Sequence, residues 1–134
     1  LKLEIVSPDG NARSAREADP NQRAIVILAS VAGLRLLLTA DAESDVLAPL
    51  QLPMIDVLKV SHHGSSDDGL PRLLERLRPQ VAVIEVGARN SYGHPTAETI
   101  SALREAGVRT WRTDKDGTVR IEVDSGGLHV QRPT

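Results

Sequence analysis

Three apolar runs, residues 34–40, 56–61 and 81–86, each lead into a loop or helix start that carries a polar candidate residue. Runs of this length, rich in Leu, Val and Ile and bounded by Pro, Gly and Asp, read as core strands, and the first of them as buried on both faces. Between the second and third runs, Leu70, Leu73, Leu74 and Leu77 recur at the i, i+3, i+4, i+7 spacing of one helical stripe, which Pro79 closes. A chain that alternates buried strands with one-sided helices must lay helices over a sheet. That places it in the α/β class, with functional loops following the strand ends.

The remaining segments fit this plan. Residues 1–6 alternate apolar with charged, the period of a half-buried strand, and residues 7–23 have no period and read as a mobile loop. Residues 24–30 and 34–40 form a hairpin around Ala32-Gly33. The pattern then predicts a short helix from Ala42, with Asp41 as N-cap and Glu43 in its first turn, bounded by Pro49 and Pro53. A further helix opens at Pro95-Thr96, turns Ile100 and Leu103 inward and stops at Gly107. Residues 108–113, 118–123 and 127–130 read as strands joined by turns at 114–117 and 124–127. At 134 residues and 40% hydrophobic content, this is one domain or a large piece of one.

Composition excludes several functions. Tyr92 and Trp111 are the only aromatic residues, which argues against base stacking as the main binding mode. A net charge of −2 gives no global field for nucleic acid, so contact with it would depend on local patches. The absence of cysteine excludes disulfides and thiolate zinc sites, leaving His and carboxylate as metal ligands. No run is long enough to cross a membrane, and the start at Leu1-Lys2-Leu3 is neither an initiator Met nor a signal peptide.

Three strand ends carry chemistry-bearing residues: Asp41, the adjacent His62 and His63, and His94. If their strands are neighbours in one sheet, these side chains converge on one edge. Each also has a plain structural reading. Asp41 can be a helix cap, one histidine of the pair can point inward at a strand end, and His94 can be a loop histidine bonded to backbone. Against these stand metal ligation or acid-base work by the His pair, and for His94 a proton donated to a leaving oxygen beside an anion held at a helix start. Asp67 and Asp68 read as the cap of the next helix, and Arg72, Arg76 and Arg78 as a solvated face. His129 is expected at the surface, and Ser65 and Ser66 lack a neighbour that would activate a nucleophile.

Taken together, four ordered blocks resemble the metallo-β-lactamase-like domain at the C-terminal end of ComEC/Rec2 DNA-uptake proteins. They are Leu36-Leu37-Leu38-Thr39-Ala40-Asp41-Ala42-Glu43, Val57-Leu58-Lys59-Val60-Ser61-His62-His63-Gly64-Ser65, Ser91-Tyr92-Gly93-His94-Pro95 and Arg112-Thr113-Asp114-Lys115-Asp116-Gly117. The resemblance implies an αββα sandwich with two divalent ions, Zn or Mn, at one edge. It implies Asp41 as the carboxylate bridging both ions and His63 as a ligand of the second. His62 stands beside them as alternative ligand or general acid, and His94 at the substrate phosphate or leaving group, with Ser65, Asn90 and Tyr92 as substrate contacts.

The family's upstream His-x-(His/Asp)-x-Asp-His cluster is absent, and Ala40 stands where the family usually has Gly. The expectation is therefore the C-terminal half of such a domain, a mixed sheet flanked by helices, inactive alone and with metal bound weakly or not at all. By resemblance its partners are DNA, the other half of the domain and a membrane channel, on the extracytoplasmic side of a bacterial inner membrane. An exposed apolar sheet face would pair with that other half or with a second copy. Two other functions fit the same residues: a metallo-hydrolase of a non-nucleic ester, or a non-catalytic module that guides DNA or supports assembly.

Overall fold

The computed structural model describes residues 1–8 and 19–133. Six strands make one mixed sheet in sequence order: β1 (Lys2–Ser7), β2 (Val26–Val31), β3 (Leu34–Leu38), β4 (Val57–Lys59), β5 (Val81–Ile84) and β6 (Arg109–Arg112). The first three run antiparallel, and β3 to β6 run parallel. The parallel strands are linked by α1 (Ser44–Leu47), α2 (Leu70–Leu77) and α3 (Ala97–Glu105). After β6 come a one-turn helix, α4 (Thr113–Asp116), and a separate hairpin of β7 (Arg120–Asp124) and β8 (Gly127–Gln131). The α/β reading holds, with a mixed sheet and flanking helices. The expected mobile loop lies largely at residues 9–18, outside the described residues, although Pro20–Arg23 within its range forms a 3-10 turn capped by Asp19.

One row of sheet residues explains where the core sits. Leu28, Leu37, Leu58 and Ala82 are register partners across four strands. They meet the α2 leucines, all four of which are buried as the stripe predicts, together with Leu47 and Leu103. Burying such side chains contributes about 1.5–3 kcal/mol each, so this layer dominates stability. Arg78 ends α2 in the left-handed conformation, φ 52°.

The alternate rows point to the other face. Ile5, Ile27, Leu38, Lys59, Val83 and Trp111 form one, and Leu3, Ala29, Leu36, Val57, Val81 and Arg109 the next. None of them belongs to the helix-packed core. Ala29, Val57 and Val81 are buried, whereas Leu3 is 61% and Ile5 65% exposed and Leu36, Leu38, Val83 and Trp111 are half-buried. The expectation that β3 is buried on both faces is thus corrected: only Leu37 is fully buried.

Two further corrections concern helix ends. The helix expected from Ala42 begins at Ser44, because Ala42 N–H donates to Thr39 O and closes a turn first. Its cap comes from far along the chain: Asp67 accepts from Ser44 N (2.9 Å) and from the Ser44 hydroxyl, as well as from Gly69 N (3.1 Å). Arg76, expected on a solvated face, donates to Ala48 O (2.6 Å) and Leu47 O (3.0 Å) and so closes the other end of α1.

At the β6 end, Arg112 forms a two-pronged pair with Asp114 (3.0 and 2.6 Å), and Asp116 accepts from Arg112 N (2.8 Å). This winds residues 113–116 into α4 where a plain turn was expected. The Arg112 hydrogen bond holds the Asp114 carboxyl below its ordinary 3.8. A carboxylate depressed in the folded state stabilises it above the unfolded pKa and loses that contribution as pH falls through the folded value. Urea midpoints should therefore fall more steeply below pH ~4 in the unmodified chain than in Asp114→Asn; parallel acid limbs would show that the pair contributes nothing.

Candidate functional site

Parallel β3, β4 and β5 bring their C-terminal ends to one edge of the sheet, where ligand sites of open α/β sheets are built. Asp41, His62, His63 and His94 all follow these ends, so the expected convergence is present. Asp41 caps no helix, which leaves its carboxylate free for other work.

The backbone that presents them is strained. Ala40, His62 and His63 all have positive φ (49°, 46° and 56°), a conformation costing a non-glycine residue about 1 kcal/mol or more. Both histidines follow β4, as expected, and sit in a tight turn at Ser61–Gly64. The turn is held because Ala40 O accepts from His62 N (3.0 Å) and Lys59 Nζ (3.1 Å), while Thr39 Oγ1 donates to Lys59 O (2.7 Å). Gly64, at φ +83°, lies against Pro95, whose Cβ would be 2.6 Å from any Cβ added there. Thr96 N also donates to Gly64 O (2.9 Å), so the His62-His63 turn and the His94 loop are pinned together.

Within this frame, His63 Nδ1 lies 2.7 Å from Glu85 O, a bond it makes as N–H donor, and Nε2 is 3.7 Å from Asp41 Oδ1. That arrangement suits a ligating imidazole: one nitrogen is fixed on a carbonyl and the other faces a carboxylate. His62 Nδ1 lies 3.0 Å from Glu43 Oε1, and its ring is 6.4 Å from that of His63 and 5.8 Å from that of His94. Lys59 reaches between Asp41 and Glu85; burial pushes its ammonium below the usual lysine range while those two carboxylates pull it back up.

The His94 loop is organised by Asn90. Its amide donates to Gly87 O (3.0 Å) and His94 O (2.9 Å) and accepts from His94 N (3.0 Å). These bonds make Asn90 the organiser of the loop that carries His94. Tyr92 is 82% exposed and lies nearly parallel to the His94 ring, at 12° and 6.0 Å. Ser65 is half-buried, with its carbonyl accepting from Thr99 Oγ1 (2.7 Å). His94 Nδ1 is buried without a hydrogen-bond partner among the described residues. A cleft of about 200 Å³ is lined by His63, Val86, Gly87, Asn90, Tyr92 and His94. A larger groove of about 720 Å³ between α1 and α2 shares no residue with the strand-end cluster, and its Arg76 is already spent on α1.

Asp41 and His63 fit one side of a metal centre. Among the described residues, no group of three or more His, Cys, Asp or Glu is arranged to hold an ion. Four or more ligands are usual, so this pair alone would bind weakly. His129 is bonded to Asp124 on the surface hairpin, as expected of it. Glu43 and Lys59 escaped the sequence reading, although a lysine inside an apolar strand and a second carboxylate two residues beyond Asp41 are both visible there.

The chain is 30% identical over 124 residues to ComE operon protein 3 of Bacillus subtilis, covering 90% of this chain. It is 31% identical over 134 residues to Recombination protein 2 of Haemophilus influenzae, covering 98%. By sequence it is a relative of the ComEC/Rec2 competence proteins. Competence protein ComA of Neisseria gonorrhoeae is also similar, at 29% over 122 residues. The chain spans 16–18% of the length of these curated ComEC/Rec2 relatives. No family model matches it.

Two substitutions test the backbone frame. Ala40→Gly relieves the positive φ at residue 40 and should stabilise by up to about 1 kcal/mol after the glycine entropy cost. Gly64→Ala adds both strain and a clash with Pro95 and should cost about 2–4 kcal/mol. Chemical denaturation reads both; a stable Gly64→Ala protein would show that the two loops are not pinned by this contact.

Proposed function

We propose that this chain is part of a metal-dependent phosphodiesterase that acts on DNA within a longer competence protein. The observation that carries the reading is the Asp41–His63 pair: an imidazole nitrogen 3.7 Å from a carboxylate oxygen at the C-terminal sheet edge, its other nitrogen anchored on Glu85 O. Bound there, a pair of divalent ions would acidify a shared water and stabilise charge on phosphorus. Asp41 and His63 would hold them from one side, and ligands from another segment of the longer protein would complete the shell. His94, stacked by Tyr92 and gripped through its backbone by Asn90, sits where it can meet a phosphate or leaving oxygen, and its unpartnered buried Nδ1 is in keeping with a site that something else completes.

The same segment would cover the second sheet face. Leu3 and Ile5 are 61% and 65% exposed and Leu36, Leu38, Val83 and Trp111 half-buried, an apolar surface that a covering element would bury. Lys59 belongs both to that face and to the surroundings of Asp41, so one covering element can bury the face and reach the site. Among the described residues, no helix is long and apolar enough to cross a membrane, so a membrane channel would be formed by other parts of the longer protein. The extracytoplasmic side is the placement this function calls for.

Isothermal titration of the 134-residue chain with Mn²⁺ or Zn²⁺ should give weak binding at most, and the chain should leave DNA intact. The longer protein loaded with either ion should degrade DNA and lose at least about 100-fold in rate in Asp41→Asn or His63→Ala. A longer protein that holds metal yet spares DNA while cleaving carboxylic esters points to the non-nucleic hydrolase; one that binds no metal points to a guiding module. In light scattering, the 134-residue chain should self-associate and bind an apolar dye, and a clean monomer without dye binding would refute the covered-face proposal.

A further inference from the structure

β1 is an outer strand of the six-stranded sheet: among the described residues it pairs with β2 and with no other strand. Its ladder with β2 is regular from Lys2 to Ile5, and the register shifts between Ile5 and Ser7. Residues 1–5 are all exposed. Such an edge presents backbone N–H and C=O groups to an incoming strand, and natural edges are often blunted by charged side chains, lysine above all. Here the lysine comes with a glutamate two positions on, so both stand on one side of the strand. Lys2 Nζ lies 3.1 Å from Glu4 Oε2, with the two side chains 74% and 53% exposed. Charges of opposite sign at this spacing repel some registers of pairing and match one. For two copies of β1 to run antiparallel in one continuous sheet, residues directly opposite must share a face, so one residue meets its own copy at the two-fold axis. Centred on Lys2 or on Glu4, the pairing sets like charges against each other, which is destabilising. Centred on Ile5, it leaves Glu4 opposite Val6 and runs through the register shift. Centred on Leu3, it sets Lys2 opposite Glu4 of the second copy and Glu4 opposite its Lys2. Leu1 then meets Ile5 on the other face, and the whole regular stretch is used.

We propose that β1 is a self-complementary docking edge through which two copies of this chain join, antiparallel about Leu3, into one continuous sheet. A second copy carries the matching charges at the matching spacing, which favours it over an unrelated strand. The pairing is made by backbone groups at the rim of the sheet and leaves the sheet face to whatever covers it, and it does not rest on the phosphodiesterase reading. It joins the open faces of the two copies on one side, with Leu1, Leu3 and Ile5 of both at the seam. Because the two-fold axis reverses strand direction, the two strand-end sites lie on opposite edges of the joint sheet.

The 134-residue chain has no cysteine, so single thiols introduced into it read the register directly. Under mild oxidation Leu3→Cys should give a covalent dimer, since residue 3 meets its own copy within disulfide reach. Leu1→Cys and Ile5→Cys should not cross-link alone, whereas an equimolar mixture of the two should. Charge reversal supplies the second arm. In sedimentation at low ionic strength, Glu4→Lys should weaken the dimer at least about tenfold, and adding Lys2→Glu to it should restore the affinity. Mixing the Glu4→Lys and Lys2→Glu single variants should give a heterodimer tighter than either homodimer. Both positions are exposed, so the fold is unaffected, and circular dichroism checks this. Cross-linking of all three single thiols alike would mark random association through the open face and overturn the proposal. Absence of a Leu3→Cys dimer, or a charge reversal that the second reversal does not rescue, would overturn it too and leave the edge to another partner.

Discussion

The Ala40 carbonyl is the point on which the site depends. It receives the His62 N–H from one loop and the Lys59 ammonium from the neighbouring strand, and it does so from a left-handed residue that turns Asp41 toward them. Two donors on one oxygen offset part of the strain at residues 40, 62 and 63, each such bond contributing about 0.5–1.5 kcal/mol and more when the donor is charged. Without that acceptor, the carboxylate loop and the histidine turn would be two separate strained turns. With it, they form one rigid unit at the ends of two paired strands.

The elements that sequence makes legible are those set by local pattern. The leucine stripe of α2 needs only its own spacing, and Thr96 caps α3 through its own third residue, Thr99, so both are readable. What escapes depends on residues distant in the chain. Asp67 caps α1 across 23 positions, and Arg76 closes the same helix across 28 and 29. These long-range partners displace the local cap that Asp41 seemed to offer. The same logic governs the site: Asp41, His62, His63 and His94 are readable as types at strand ends, whereas Glu43 pairs with His62 only because a turn delays the helix.

The sheet has two unequal faces, and the site stands at the boundary between them. On the helix side, Leu37, Leu58 and Ala82 are sealed under α2 and α3. On the other, Lys59 is flanked by Leu38 and Val83 in its row, with its ammonium carried up to Asp41 and Glu85. An ammonium in that position keeps water and charge at the rim of an otherwise apolar surface. It also ties the electrostatics of the carboxylates to whatever lies over the sheet.

The outer edge of β1 gives the open face a further meaning, during synthesis. Among the described residues, β1 pairs on one side only, with β2, and it carries the two most exposed aliphatic side chains of the sheet, Leu3 and Ile5. A sheet-edge strand beside exposed aliphatic side chains can act as a template for pairing with another nascent chain. The parallel half of the sheet is slow to pair, since each of its strands waits for a crossover helix to be made. Such a segment would be safest if an element able to cover this face were already folded as it emerges, which would make the order of synthesis a constraint on where in a longer chain it can stand.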